Sequence, residues 1–328
     1  MRGIISRFAP APTGFLHLGH IVNASHVWGE MRTRGGRVLL RIEDHDRQRS
    51  RRHFEEAILE DLGWLGFVAD EPLVRQSERD DIYLQALDSL RRRGLVYACN
   101  CSRAEVVAAN IGQEIANAQA GLKPCTTDDT EAEVVQAFRP AEAVVLQAFP
   151  GAPEREARGG GRPAETELRY PGTCADRGLA EGPGVGLRVR LDPSLERFVD
   201  LRLGPQEQRP SEQCGDLLAR DRDGHWTYQF AATVDDDVQG VTLVIRGVDL
   251  LASTGRQIQL ARLLGRDEPP AFLHHPLIMK SAASAGGFGG PRQKLSKSDG
   301  DTGIRELRAQ GWTPAQVVEH AMALVGAE

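Results

Sequence analysis

Apolar runs and amphipathic stretches alternate along the first third of the chain. Residues 3–7 and 37–42 have strand-like spacing, whereas 18–33, 53–65 and 80–93 repeat apolar positions every three or four residues, as a helix with one buried face does. Strands alternating with helices predict a parallel α/β unit, half of a nucleotide-binding sheet, with ligands beyond the carboxyl ends of its strands. The pattern breaks near residue 99. A helix is predicted at 104–120, then a span at 124–163 rich in Pro, Gly, Ala and Glu, within which 152–163 has too little apolar content to order itself. Strand spacing returns at 186–200, and Asp221-Arg222-Asp223-Gly224 signals a hairpin turn. From Tyr228 the α/β pattern resumes, with a strand at 242–245 and a helix at 254–264 ended by Gly265. The predicted α/β chain thus has a first sheet half at 1–98, an inserted domain at 99–225 with a mobile segment near 124–165, a second half at 226–282, and a loop with a short helical stem at 283–328.

Composition narrows the classes. A chain of 328 residues holds two or three domains and a sizeable core. No run approaches the roughly 18 apolar residues of a membrane span. The N-terminus opens on strand-like Gly3-Ile4-Ile5 rather than a signal peptide, so a cytoplasmic monomer is expected. The net charge of −6 excludes a general coat for polyanions, although Arg47, Arg49, Arg51 and Arg52, or Arg91, Arg92 and Arg93, offer local basic surface.

Two segments carry nucleotide chemistry. In the first, Arg7-Phe8-Ala9-Pro10-Ala11-Pro12-Thr13-Gly14 leads from a strand into His17-Leu18-Gly19-His20 at a helix start, where exposed N–H groups and the helix dipole favour anions and Gly19 permits close approach. In the second, Lys294-Leu295-Ser296-Lys297-Ser298 places two ammonium groups in a Gly- and Ser-rich loop able to offset charge developing on a triphosphate. Five cysteines in such a chain point to thiol or metal chemistry rather than disulfides. Cys99 and Cys101 can place two thiolates on one metal, Cys174 lies in Tyr170-Pro171-Gly172-Thr173-Cys174, Cys125 is a rival ligand, and Cys214 reads as buried. The run Asp235-Asp236-Asp237 reads as a turn at a strand end.

Taken together, these motifs resemble class I aminoacyl-tRNA synthetases. The segment 7–14, Arg41-Ile42-Glu43-Asp44, Tyr228-Gln229-Phe230-Ala231, the stretch 244–251 and Thr254-Gly255-Arg256-Gln257-Ile258 look like the glutamyl branch. The Cys-x-Cys and Tyr-x-x-x-Cys pattern resembles the zinc site of the truncated glutamyl enzymes that modify queuosine in tRNA(Asp). The resemblance implies a Rossmann-type catalytic domain with an inserted zinc-containing domain and a short C-terminal stem. It implies activation of L-glutamate with ATP-Mg²⁺ and transfer to queuosine at the anticodon of tRNA(Asp). His17, Gly19, His20 and Lys297 would hold ATP, with His17, His20, Lys294 and Lys297 serving the chemistry. Arg7, Phe8, Ala9, Pro10, Ala11, Glu43, Tyr228 and Arg246 would form the glutamate pocket, and Cys99, Cys101, Tyr170 and Cys174 would hold one structural zinc. Either Arg246 or Arg7 can fork onto the γ-carboxylate, and Glu43 can take the ammonium. Ala11 stands where the family pattern has serine, so amino-acid binding is expected to be weakened or rearranged. Only 30 residues follow Ser298, which leaves no room for the family's helical anticodon-binding domain. The alternatives are a compact glutamyl-tRNA synthetase charging tRNA(Glu), or a non-catalytic paralogue.

Overall fold

The computed structural model describes residues 3–120, 168–278 and 303–326. Lys294, Lys297, Cys125 and the 124–165 segment lie outside the described residues. Strand β1 (Ile5–Phe8) leads to helix α1 (Leu18–Arg34), β2 (Arg37–Ile42), α2 (Arg52–Leu65), β3 (Val74–Arg75) and α3 (Asp80–Arg92). Next come β4 (Val96–Cys99), α4 (Arg103–Ala120), β5 (Gly186–Val189), β6 (Glu196–Asp200), β7 (Gly204–Gln208), the short α5 (Pro210–Gln213) and β8 (Leu217–Arg220). The chain continues through α6 (Tyr228–Val238), β9 (Leu243–Gly247), α7 (Thr254–Leu263), β10 (Ala271–His275), α8 (Ile304–Ala309) and α9 (Pro314–Gly326). No helix among these is long and apolar enough to cross a membrane.

Strands β1, β2 and β3 pair in parallel. On the other side, β9, β10 and β6 run parallel to one another, with β7 antiparallel on the edge. The two sheets meet where the Thr242 N–H donates to the Ile5 carbonyl at 2.9 Å and the Ile5 N–H donates to Thr242 Oγ1 at 2.9 Å. Further along, Arg7 Nη1 donates to the Ile245 carbonyl at 3.3 Å, so β9 runs in the same direction as β1. The chain therefore leaves β1 toward β2 on one flank and returns as β9 on the other. Such a reversal opens a crevice beyond the strand ends, the usual ligand position in this kind of sheet.

Burial holds the crevice open. Ile21, Val22, Val27 and Met31 on one stripe of α1 pack on Phe8, Leu40 and Ile42 of the sheet and on Ile304, Val317 and Ala321 of the stem helices. Each such aliphatic side chain contributes about 1.5–3 kcal/mol when fully buried. A second core joins α3 and α6 to the antiparallel sheet β4–β5–β8 through Tyr83, Leu87, Val189, Leu217, Phe230 and Val234.

The expected strand at 186–200 divides into β5 and β6, which belong to different sheets. The acidic run is not a strand-end turn. Asp235, Asp236 and Asp237 occupy the last turns of α6, with Asp235 and Asp236 buried. They are helical because three guanidiniums from other elements neutralise the first two, and no local pattern encodes those partners.

Candidate active site

The start of α1 is closed by its own imidazoles. His17 Nδ1 accepts from the Gly19 N–H at 3.1 Å, and His20 Nδ1 accepts from the His17 N–H at 3.1 Å, a reciprocal capping box. Both Nδ1 atoms act as acceptors, so in each neutral ring the proton resides on Nε2, which is thereby a donor. The rings lie 3.9 Å apart. The bare Cα of Gly19 lies against the His17 imidazole, where an added Cβ would come within 2.9 Å of Cε1. The Gly19 N–H, expected to face a phosphate, is thus engaged by His17. Gly303 pairs with His17 across an isolated bridge, and the Ile304 N–H donates to the Leu16 carbonyl at 3.1 Å. The stem therefore begins beside the histidines.

Beneath this lies a buried ionic floor. Arg41, fully buried, donates from Nη1 to Asp236 at 2.8 Å and from Nη2 to Glu43 at 3.3 Å, with Asp235 3.7 Å from its Nε. Arg7 Nε donates to the same Asp236 at 3.0 Å. Asp235 also accepts from Gln76, Arg79 and the Tyr83 hydroxyl at 2.6–2.8 Å. Burial would raise the Asp236 carboxyl, but Arg7 and Arg41 outweigh it and hold it below the ordinary carboxylate range. Glu43 behaves oppositely. Burial pushes it up, because the charges of Arg41, His45 and Arg7 offset its desolvation only in part and Asp236 adds to the rise. The loop before α1 is tied to this floor by the Glu43 N–H, which donates to the Pro10 carbonyl at 3.0 Å. Phe8 turns its ring into the core beside Trp28, Pro10 is buried, and Ala9 and Ala11 are half-buried.

The opposite wall has a different character. Arg246, on β9, is only 3% exposed and donates to Gln257 Oε1 at 2.6 Å, Thr254 Oγ1 at 2.9 Å and His274 Nε2 at 3.0 Å. Among the described residues no carboxylate lies within ion-pairing distance of it, and burial draws its pKa down. Tyr228, half-buried at the start of α6, stands between the two walls: burial and the Glu43 charge raise its phenol, while Arg246 and Arg7 oppose them. The structure brings Arg7, Glu43, Tyr228 and Arg246 together at the crevice. Sequence reasoning missed Arg41, Asp236 and His274; for His274 the available signal was the pair of histidines that closes the apolar run of β10.

A third cluster sits on the antiparallel sheet. Sγ atoms of Cys99, Cys101 and Cys174 lie within 4.8 Å of one another, and the Tyr170 hydroxyl is 3.4 Å from Cys99 Sγ. Burial would raise the Cys174 thiol, but hydrogen bonds from the Asn100 backbone, Cys101 and Tyr170 bring it down to about 7. Arg188 covers the Tyr170 ring at 3.6 Å. Gly215, at φ +67°, lets Tyr170 approach: an added Cβ would collide with the Tyr170 carbonyl. Three thiols and a phenol fit the tetrahedral, sulfur-rich set that zinc takes. Cys214 is buried outside the cluster and its thiol is pushed up to about 12, chiefly by burial.

Of the basic residues, Arg47 pairs with Asp80, Arg49 with Asp46, Arg52 with Glu56, and Arg91 with Asp88 and Glu181, as solvated faces do.

Residues 3–145 and 154–327 match the family model of tRNA synthetases class I (E and Q), catalytic domain. The chain belongs to that family. Among curated relatives, a glutamyl-Q tRNA(Asp) synthetase of Symbiobacterium thermophilum is 38% identical over 98% of this chain and 87% of its own. Another of that name from Rhodobacter capsulatus is 34% identical over 96% of this chain and 98% of its own. In structure the chain is similar to a glutamate-tRNA synthetase from Elizabethkingia anophelis, with a TM-score of 0.61 and 26% identity. That alignment covers 91% of this chain but only 53% of the synthetase, so the chain spans about half its length.

Proposed function

We propose that this chain activates L-glutamate with ATP and transfers the glutamyl group to queuosine in the anticodon of tRNA(Asp). The observation that carries the amino-acid part is the pairing of an incompletely compensated carboxylate, Glu43, with a buried guanidinium that has no carboxylate partner among the described residues, Arg246, on either side of Tyr228. That is the charge complement of glutamate, with an ammonium at one end and a γ-carboxylate at the other. Arg7 is already paired with Asp236, which favours Arg246 for the fork. The acceptor follows from the relatives' shared name.

In the first step an oxygen of the glutamate α-carboxylate attacks the α-phosphorus, a new P–O bond forms, and pyrophosphate departs with the electrons of the broken bond. Neither nucleophile nor leaving group needs a proton shuttle, so the protein contributes positioning and charge. The Nε2–H donors of His17 and His20 face the triphosphate in this reading. Lys294 and Lys297 stabilise the charge leaving with pyrophosphate; Lys297 precedes Gly303, the bridge partner of His17, by only six residues. Mg²⁺ enters with ATP on phosphate oxygens. A queuosine hydroxyl then attacks the activated carbonyl, losing its proton as AMP leaves. Cys99, Cys101, Cys174 and Tyr170 would hold a structural zinc, whose part would be to fix the inserted sheet and not to enter the reaction.

The test combines the protein with ATP, labelled glutamate and tRNA(Asp) that contains or lacks queuosine. Label is expected only on the queuosine-containing tRNA; equal labelling of both would refute the acceptor.

A further inference from the structure

Arg246 sits at the end of a relay that crosses three strands. The parallel register sets His274 of β10 directly beside Arg246 of β9. The same strand pairs with β6 through Phe272 and Asp200. Asp200 Oδ2 then lies 2.7 Å from His274 Nδ1 and accepts the His274 backbone N–H at 3.1 Å, both groups being fully buried. Asp200 Oδ1 accepts the N–H groups of Arg202 and Leu203, so the carboxylate cannot rotate away. At the far side of the ring, Arg246 Nε donates to His274 Nε2 at 3.0 Å. A guanidinium has only donors, so Nε2 must carry the lone pair and the imidazole proton must sit on Nδ1, facing Asp200. Phe272 stacks on His274 at 6.1 Å and lies 5.5 Å beneath the Arg246 guanidinium, fixing both from one side.

We propose that Asp200 and His274 form a positioning pair that aims Arg246 at a substrate carboxylate while leaving its positive charge uncompensated. This rests on the reading of Arg246 as the γ-carboxylate fork. A carboxylate placed directly on Arg246 would orient it equally well but would cancel the charge that tells glutamate from glutamine. A neutral imidazole of fixed tautomer orients without cancelling, and Asp200 is what fixes the tautomer. Gln257 and Thr254 are neutral acceptors as well.

Glutamate-dependent ATP–pyrophosphate exchange tests the pair in the full-length protein, with thermal melting of every variant alongside. His274→Leu removes the acceptor, and the KM for glutamate is expected to rise about 10- to 100-fold, as loss of a buried hydrogen bond to a charged group predicts, with the KM for ATP unmoved. His274→Gln returns an amide oxygen to that position and is expected to recover most of the loss. In Asp200→Asn the carbonyl stays with the Arg202 and Leu203 N–H groups, the NH₂ faces Nδ1 and leaves the His274 backbone N–H without its acceptor, and the ring is forced to place its proton on Nε2 against Arg246. Its glutamate KM is expected to rise as in His274→Leu, and its preference for glutamate over glutamine to fall. An unchanged glutamate KM in His274→Leu, an equal rise in both KM values, or failure of His274→Gln to recover would overturn the pair while leaving the proposed function standing. A wild-type protein that shows no glutamate-dependent exchange would overturn both.

Discussion

Arg41 and Arg246 are both buried arginines in the same crevice, and their surroundings are opposite. Arg41 is enclosed by Asp235, Asp236 and Glu43, whereas the partners of Arg246 among the described residues, Gln257, Thr254, His274 and Tyr228, are not carboxylates. The first arrangement satisfies charge inside the fold. The second satisfies the donors, but no carboxylate among the described residues pairs with the charge, and burial of a charge costs several kcal/mol. A fold retains such a group where something from outside completes it. The contrast therefore distinguishes two kinds of buried arginine by the chemistry of their partners, where burial alone does not.

The largest expected effect comes from breaking the saturated side. Asp236→Ala leaves Arg7 and Arg41 buried without their shared partner and should cost about 3–5 kcal/mol in urea denaturation, enough to unfold much of the population. Arg246→Met is the counterpart. It should raise the KM for glutamate by about 30-fold or more, since it truncates one partner of a buried charge pair. Its stability should change by less than about 1 kcal/mol, because an apolar side chain replaces a buried charge with no carboxylate beside it. A large loss of stability in this variant would erase the distinction.

Asp61 extends the comparison to the opposite sign. It lies fully buried on α2, neither carboxylate oxygen has a hydrogen-bond partner among the described residues, and burial raises its carboxyl from 3.8 to about 6. The folded state therefore holds the Asp61 proton more tightly than the unfolded chain does. That contribution is complete below about pH 4 and is lost as the pH rises through about 6. Asp61→Asn should consequently stabilise the protein by about 1–3 kcal/mol above pH 7, with the gain vanishing below pH 4, in denaturation curves taken across that range. The smallest effect belongs to the exposed pair of Arg52 and Glu56: Arg52→Ala should shift the melting free energy by less than about 0.5 kcal/mol, as a screened surface contact does.

Helix and strand positions were largely legible before any coordinates. The strand at 37–42 is β2 residue for residue, and the helix read at 18–33 ends one residue later as α1. Apolar periodicity reports burial of one face, and burial is what these elements share with the sequence. Glu43, Tyr228 and Arg246 were singled out by their motifs, and the fold brings them to one crevice. The ionic floor was not. Arg7 and Asp236 are 229 residues apart and Arg41 and Asp236 are 195 apart, so three consecutive aspartates looked like a turn at a strand end when two of them are buried counterions. His274 was missed for a related reason, since its role depends on strand register rather than on its neighbours in the chain.

The sequence by itself determined which segments become strands and helices, because the alternation of apolar and polar side chains is a local property that each element must satisfy to bury a face. It also determined which residue types were available for phosphate, carboxylate and metal. Only the tertiary structure decided which arginine is spent inside the fold and which remains charged toward the crevice. That choice depends on which carboxylates the sheet register and the α6 helix bring within 4 Å, a long-range geometry that electrostatics in a buried site amplifies and local pattern does not record.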